Sequence, residues 1–537
     1  MTRIVIVGSG ASGVHFALTA LRNGHDVTML DVGHQRPPAV KPDATFEGLK
    51  DALEDPVAHF LGEDCEGVVY PATKASYYGH PPSKSYVFAQ PRQFVSRATA
   101  MQPVFSFARG GLAEAWTAGA YPLNAQDLAE FPFGYEDLAP SYQEVARRIG
   151  VAAERDDLAK FIPFDGIDYQ PPLTTDPHTR HLLAVYGRQR TVLNKSRFYL
   201  GRSRVATLSR DHAGRKACNH LGRCFWGCPT DSIYSPSVTL RECQALPRFR
   251  YEPGMYVSHF EYDEGGRISR IGAEGAPGGE IRWFEGDTFV LAAGALCSSK
   301  IVLDSIYRRT GRVVELPGLM DNRQVHVPFL TPRMIAEPVN TAAYQFHHLA
   351  FGIERDDPAE YVHGQITTLK AASVHPILLG MPLDFKTALT VFRGIRTGLG
   401  LANVNLHDRR RATSVLTIRP TGADGRSELL IRYETDPNEH AHRDAAVRDV
   451  KRALSTMGCI VPPGMTRVLP MGSSVHYAGT LPMTAQGGTL TCTPDCRSRD
   501  FPNLYLADGA TLPFLPSKNL TFTLMANAIR IAETLRD

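Results

Sequence analysis

Short β-branched runs separated by glycine-rich turns dominate the apolar pattern of this chain. Arg3 to Val7 (RIVIV) has no polar alternation, the pattern of a parallel strand buried on both faces. Val14 to Arg22 follows with helical periodicity, and Asp26 to Leu30 (DVTML) reads as a second strand. Thr288 to Leu296 (TFVLAAGAL) predicts another buried strand running into a small-residue turn and a helix. Arg248 to Arg282 alternates (YVSHFEYD, GRISRIGAE) around Gly265–Gly266, a hairpin signal. Residues 34–106 are rich in Pro, Gly, Tyr and Ser and read as long ordered loops, whereas 125–147 reads as helical. Between 322 and 435 the pattern changes. VHVPFL, AYQFHHLAFGI, GQITTLK, SVLTIRP and SELLIRY are strand-like, with one helical stretch near 384–403, which predicts a sheet-based second domain. Asp436-Pro437-Asn438-Glu439 predicts a helix start with Asp at the N-cap, Pro at N1 and Glu at N3. The tail from Asn503 reads strand, turn, irregular loop and helix; it returns the chain to the first domain and makes that domain discontinuous.

The first strand and helix are joined by GSGASG, with Gly8, Gly10 and Gly13, and Asp31 ends the second strand. Gly8 permits the tight turn, Gly10 lets backbone approach a pyrophosphate, and Gly13 lets helix and strand pack closely. The helix N-terminus offers oriented N–H groups to phosphates, and Asp31 can accept both hydroxyls of an adenosine ribose. This unit predicts a bound dinucleotide. A second glycine-dense stretch, Phe107 to Pro122 (FARGGLAEAWTAGAYP), suits backbone lying against a planar ligand.

Composition narrows the class. At 537 residues the chain is long enough for two domains, and 43% hydrophobic with 21% charged residues is ordinary for a globular protein. A net charge of +3 and the lack of a basic stripe exclude nucleic acid as an expected partner, and Arg409–Arg411 reads as a solvated strand entry. The apolar stretch Thr387 to Val404 is broken by Arg393 and Arg396, so no membrane span is expected, and a cytoplasmic location is the expectation. Nine cysteines lie mostly singly, as free thiols do, apart from Cys218, Cys224 and Cys228.

These pieces together resemble the glucose–methanol–choline (GMC) oxidoreductases, an FAD-dependent family. GSGASG with Asp31 is similar to that family's FAD site, RGGLAEAWTAG (Arg109–Gly119) to its flavin-contacting loop, and VLAAGAL and NLYLADGATLP to its later FAD segments. His476 in HYAGT matches its HxxGT motif, and Asn519 stands where a second His or Asn faces the flavin. The resemblance implies an α/β fold with a discontinuous Rossmann-like FAD-binding domain (1–123, 200–320 and 460–537) and a sheet-based α+β substrate domain (124–199 and 321–459). It implies catalytic roles for His476 and Asn519. The cofactor-binding residues it implies are Gly8, Gly10, Ser12, Gly13, Asp31, Gly110, Gly111, Trp116, Thr117, Ala293, Gly294, Asp508 and Gly509. Ala115 occupies the place where pyranose oxidases of this family carry a flavin-linking His, so FAD is expected to be non-covalent.

The expected reaction is oxidation of a secondary alcohol of a sugar or glycoside, with His476 as base and O2 or another acceptor taking the electrons. A neutral imidazole can take the hydroxyl proton near pH 7, and the amide of Asn519 can orient the hydroxyl or serve as a helix N-cap. Two alternatives stand beside it. Cys218, Cys224 and Cys228, spaced six and four apart with Pro229 next, suit either an iron–sulfur cluster or a structural loop; a cluster would make the chain a sugar dehydrogenase subunit feeding a cytochrome. A sterol-type alcohol oxidase is the other. His326, His347 and His348 fall on strands of the second domain and read as pocket-lining or packed residues. Cys492 and Cys496 read as free thiols in a turn.

Overall fold

The glycine loop is clamped among parallel strands. In the computed structural model, which describes residues 1–70, 79–276, 278–370, 377–378, 380–422 and 425–535, β1 (Arg3–Val7) pairs in parallel with β2 (Asp26–Leu30) on one side and with Thr288–Leu291 on the other. Phe249–Glu252 extends the sheet beyond β2, and Leu504–Leu506 closes its other edge. All five strands are parallel and come from three distant parts of the chain, as the discontinuous pattern predicted. The helix α1 (Ala11–Arg22) starts directly after the loop, with Gly10 at its N-cap, and packs on the helices Pro236–Gln244 and Thr521–Glu533. Ile4, Ile6, Val14, Phe16, Phe289 and Leu506 are fully or almost fully buried in this first core.

The second sheet is antiparallel and six-stranded, in the order Arg467–Val468, Gln324–Leu330, Leu399–Asn405, Val362–Thr368, Leu349–Ile353, Phe198–Arg202. Alternation decides its two faces. Val325, Val327, Phe329, Val362, Ile366, Ala402 and Val404 bury one face against the helices Pro177–Lys195 and Glu439–Thr456. The residues between them, Gln324 and His326, His363 and Gln365, Asn403 and Asn405, share the other face in register. The fold is thus mixed α/β, one parallel sheet carrying the glycine loop and one antiparallel sheet opposing it.

Several local expectations shift. The strands Val415–Pro420 and Ser427–Arg432, expected with the second sheet, pair instead with Leu316–Pro317 and Ser96–Thr99, and Leu416, Ile418, Leu429 and Ile431 are buried in the first core. The helix expected over 125–147 runs Tyr135–Ile149, because Pro132 and Gly134 halt any earlier start and Asp137 accepts the Gly134 N–H at 2.8 Å. The 384–403 stretch divides into a helix, Phe385–Ile395, and the strand from Leu399. The helix expected from Asp436 begins at Glu439, Asp436 holding the Asn438 N–H at 2.7 Å in a turn ahead of it. His347 and His348 precede their strand, which begins at Leu349. No helix among the described residues is long and apolar enough to cross a membrane.

Candidate active site

A single slot runs along the C-terminal ends of the parallel strands. Gly8, Gly10, Ser12, Asp31, Gly111, Ala293, Gly294, Asp508, Gly509 and His476 line it. At one end Asp31 accepts hydrogen bonds from Ser9 Oγ and, at 3.0 Å, from Tyr251 Oη. Burial pushes its carboxyl up to about 6 against the pull of Ser9, Tyr251 and Arg109. Ser9 Oγ also accepts the Gly110 N–H at 3.0 Å, so the two glycine loops are tied together. Gly110 and Gly111 both have positive φ (99° and 63°), and a Cβ on Gly111 would lie 3.4 Å from Gly10 Cα. Further along, Asp508 accepts from Ser298 Oγ at 2.5 Å and from the Ala510 N–H at 3.0 Å, and burial raises it to about 6.

The residues present fit a dinucleotide. Space is open beside Gly10, where a Cβ would find only Ala292 O at 4.0 Å, so the wall there is bare backbone at a helix N-terminus. Gly13 lies behind this wall, its Cβ position 2.1 Å from Gly8 O. Trp116 and Thr117 are not among the residues lining the slot, and their polar side-chain atoms are engaged elsewhere. Trp116 Nε1 donates to Tyr234 O at 2.8 Å, and Thr117 Oγ1 bonds His347 Nε2 at 3.0 Å. His347 Nδ1 in turn meets Ser203 Oγ at 3.1 Å.

His476 also lines the slot, buried, with burial lowering its pKa to about 4. Its Nδ1 is 3.0 Å from Asn322 Oδ1, and its Nε2 is 3.5 Å from Asn519 Nδ2. Asn519 Oδ1 accepts from Gln365 Nε2 at 2.6 Å. Asn519 caps no helix: the helix Thr521–Glu533 has Leu520 at its N-cap and no side-chain cap. The backbone of the His476 loop is clamped separately. Ser474 Oγ accepts the His476 N–H at 3.0 Å and donates to Asp321, which also accepts the Gly472 N–H. Burial, with a push from Asp408, raises Asp321 to about 7. Lys518, beside Asn519, is fully buried against Asp127 and Phe161 O.

Asn322, Gln365, Asp321 and Ser474 were missed from sequence. Gln365 sits at an outward position of an alternating strand, where a polar residue reads as solvated, and Asn322 in DNRQ reads as a turn. The cysteine trio lies apart, in an irregular loop. Cys224 Sγ accepts the Gln345 N–H at 3.4 Å and Cys228 Sγ meets Thr230 Oγ1 at 3.6 Å. Burial raises the Cys218 thiol to about 11 and Cys224 further. Among the described residues no group of three or more His, Cys, Asp or Glu is arranged to hold a metal ion. Cys492 and Cys496 are buried free thiols.

A family model described as GMC oxidoreductase matches residues 411–528, the stretch that holds His476, Asp508 and Asn519. Over that stretch the chain is similar to the GMC oxidoreductases. This oxidoreductase is 24% identical over 555 residues to the paromamine 6'-oxidase of Streptomyces fradiae, covering 99% of its own length and 91% of that protein's. It is 30% identical to the C-glycoside 3-oxidase of Arthrobacter globiformis over 179 residues, 33% of its own length and 32% of that enzyme's. Its fold matches pyridoxine 4-oxidase from Mesorbium loti with a TM-score of 0.60 at 14% identity, covering 100% of this chain and 99% of the other. The enzyme is an FAD-dependent oxidoreductase acting on alcohol donors.

Proposed function

We propose that this enzyme oxidises a secondary alcohol of a sugar or glycoside to the ketone, with His476 as the general base. The observation that carries the reading is the pair of atoms His476 Nε2 and Asn519 Nδ2, 3.5 Å apart. FAD held non-covalently along the slot would supply the acceptor for the hydride that leaves the carbinol carbon. Gly8, Gly10, Ser12 and the α1 N-terminus would hold its pyrophosphate, and Asp31 its ribose. Asp508, Gly509, Ala293 and Gly294 would border the remainder.

His476 takes the hydroxyl proton at Nε2. With a pKa near 4 the ring is neutral at pH 7 and its lone pair is available. Asn519 Nδ2 donates to the same hydroxyl oxygen and points it at Nε2. Gln365 holds Asn519 in that orientation from the opposing sheet.

The polar face of that sheet supports a polyhydroxylated substrate over an apolar sterol. His363, Gln365, Asn403 and Asn405 share it in register, with Pro328 and Leu401 beyond them, whereas Val362, Ile366, Ala402 and Val404 point the other way into the second core. Two relatives carry the names paromamine 6'-oxidase and C-glycoside 3-oxidase. In this reading the electrons pass to O2 or another electron acceptor.

Anaerobic flavin bleaching by glycosides tests the base. His476→Ala should keep its bound FAD and lose about two to four orders of magnitude in bleaching rate. Bleaching at the wild-type rate refutes the role. Acid precipitation should release the yellow cofactor into the supernatant, and flavin remaining with the pellet refutes non-covalent binding.

A further inference from the structure

We infer that Asn322 is a positioning residue: through a one-way run of neutral hydrogen bonds it holds His476 as the tautomer protonated on Nδ1, leaving the Nε2 lone pair toward Asn519 and the substrate. The inference deepens the proposed role of His476 and rests on it for its catalytic meaning.

The polarity of each bond follows from its neighbours. Asn322 Nδ2 lies 2.7 Å from Leu406 O and 3.0 Å from Pro516 O. Both partners are backbone carbonyls and only accept, so a flipped amide would set oxygen against two oxygens. The NH2 group therefore faces the carbonyls, and Oδ1 faces His476 Nδ1 at 3.0 Å. An amide oxygen cannot donate, so Nδ1 must carry the proton.

The same answer comes from the other side of the ring. Gln365 Nε2 donates to Asn519 Oδ1 at 2.6 Å, which turns the Asn519 NH2 toward His476. A donor there calls for a lone pair on Nε2. At 3.5 Å this contact is at the limit of a hydrogen bond, so the lone pair is not committed to it. Hydrogen bonds thus run in one direction, from Gln365 on the opposing sheet to the carbonyls of Leu406 and Pro516.

Charged groups surround this run but are engaged elsewhere. Asp321, one residue before Asn322, directs its carboxylate to Ser474 and the Gly472 N–H. Asp408 behind it is paired with Arg411 and Tyr433. Lys518, one residue before Asn519, is paired with Asp127. His363, two residues before Gln365, is fully buried, bonds Tyr361 Oη through Nδ1 at 3.0 Å, and burial holds its pKa well below the ordinary value. The partner on Nδ1 is therefore an amide where a carboxylate would stabilise imidazolium, so a proton taken from substrate gains no fixed counter-charge and is readily passed on.

The test uses the FAD-loaded full-length enzyme labelled with [15N]histidine, the His476 signals being assigned by difference from His476→Gln. The expected spectrum shows a pyrrole-type Nδ1 and a pyridine-type Nε2 at pH 7; the reverse pattern, or averaged signals, overturns the inference. In Asn322→Asp the same resonances should titrate at least one pH unit higher than in the wild type, because a carboxylate then faces Nδ1. An unmoved midpoint overturns it. Should that variant not fold, the wild-type spectrum still decides. None of these readings needs a substrate, so they stand apart from the bleaching assay: wild-type bleaching in His476→Ala would remove the base while leaving the tautomer result intact.

Discussion

Gly13→Ala is expected to damage the cofactor site through the protein's own packing. A methyl group at position 13 would lie 2.1 Å from Gly8 O and 3.3 Å from Ala292 Cβ. Carbon contacts relax near 3.5–4.0 Å, so the first turn of α1 must lift by roughly 1 Å or more. Gly8 cannot yield in its place. Its φ is +100°, its own Cβ position is 2.6 Å from Ala292 O, and β1 is held by a parallel strand on each side. Overpacking of this kind costs about 1–3 kcal/mol, and the rigid backbone partner places it at the upper end. Because the α1 N-terminus would face the phosphates in the proposed site, most of that cost should reappear as weaker FAD binding, about ten- to a hundredfold at 1.4 kcal/mol per decade. Gly10→Ala is the internal control. Its φ is −65°, and its Cβ position meets only Ala292 O at 4.0 Å, so apoprotein stability should move by less than about 0.5 kcal/mol while the methyl intrudes into the slot. The assay is thermal unfolding of both apoproteins with and without FAD, together with a fluorescence titration of FAD. Gly13→Ala should melt lower in both conditions and bind weakly; Gly10→Ala should melt like wild type without FAD and gain less when FAD is added. A Gly13→Ala apoprotein that melts with wild type and binds FAD normally, or a Gly10→Ala apoprotein as unstable as Gly13→Ala, refutes the reasoning.

Two further outcomes are expected. Lys518→Met should destabilise the enzyme by about 3–5 kcal/mol by stranding the buried Asp127 carboxylate, and adding Asp127→Asn should recover much of the loss; strictly additive denaturation free energies would contradict the pairing. On the acid side, kcat/KM should stay level down to about pH 5 and fall below it. The base is lost only as pH drops through its folded value of about 4, and an acid limb centred near 6.5 would mean that His476 is not desolvated as the geometry requires.

The parallel sheet was readable from sequence because its constraints are local. RIVIV, the glycine spacing and DVTML each act within thirty residues, and TFVLAAGAL repeats the same strand–turn–helix logic. Val415–Pro420 and Ser427–Arg432 show where that logic stops. Their alternation predicts strands, yet which sheet they join depends on Leu316–Pro317 and Ser96–Thr99, about a hundred and more than three hundred residues away. Side-chain direction was equally hidden: Trp116 and Thr117 lie in a glycine-dense loop beside the slot but spend their polar atoms on Tyr234 and His347. His476 stood out through HYAGT. Asn322 and Gln365 did not, because an amide on a turn or at an outward strand position carries no distinctive spacing. Their contribution exists only once three segments meet.

The order of strands in the parallel sheet has a consequence for how the enzyme is made. Thr288–Leu291 sits between β1 and Leu504–Leu506, so until Leu504–Leu506 leaves the ribosome this strand is an unpaired edge. At synthesis rates of about 5–20 residues per second, that edge waits some ten seconds or longer for its partner. The glycine loop is made about five hundred residues ahead of the helix that packs on α1, Thr521–Glu533, which follows together with Asn519. Nascent chains should therefore depend on chaperones through most of translation, and capture of the cofactor should mark completed molecules. A chain truncated before Asn503 should be a substrate for quality control and not a slow enzyme.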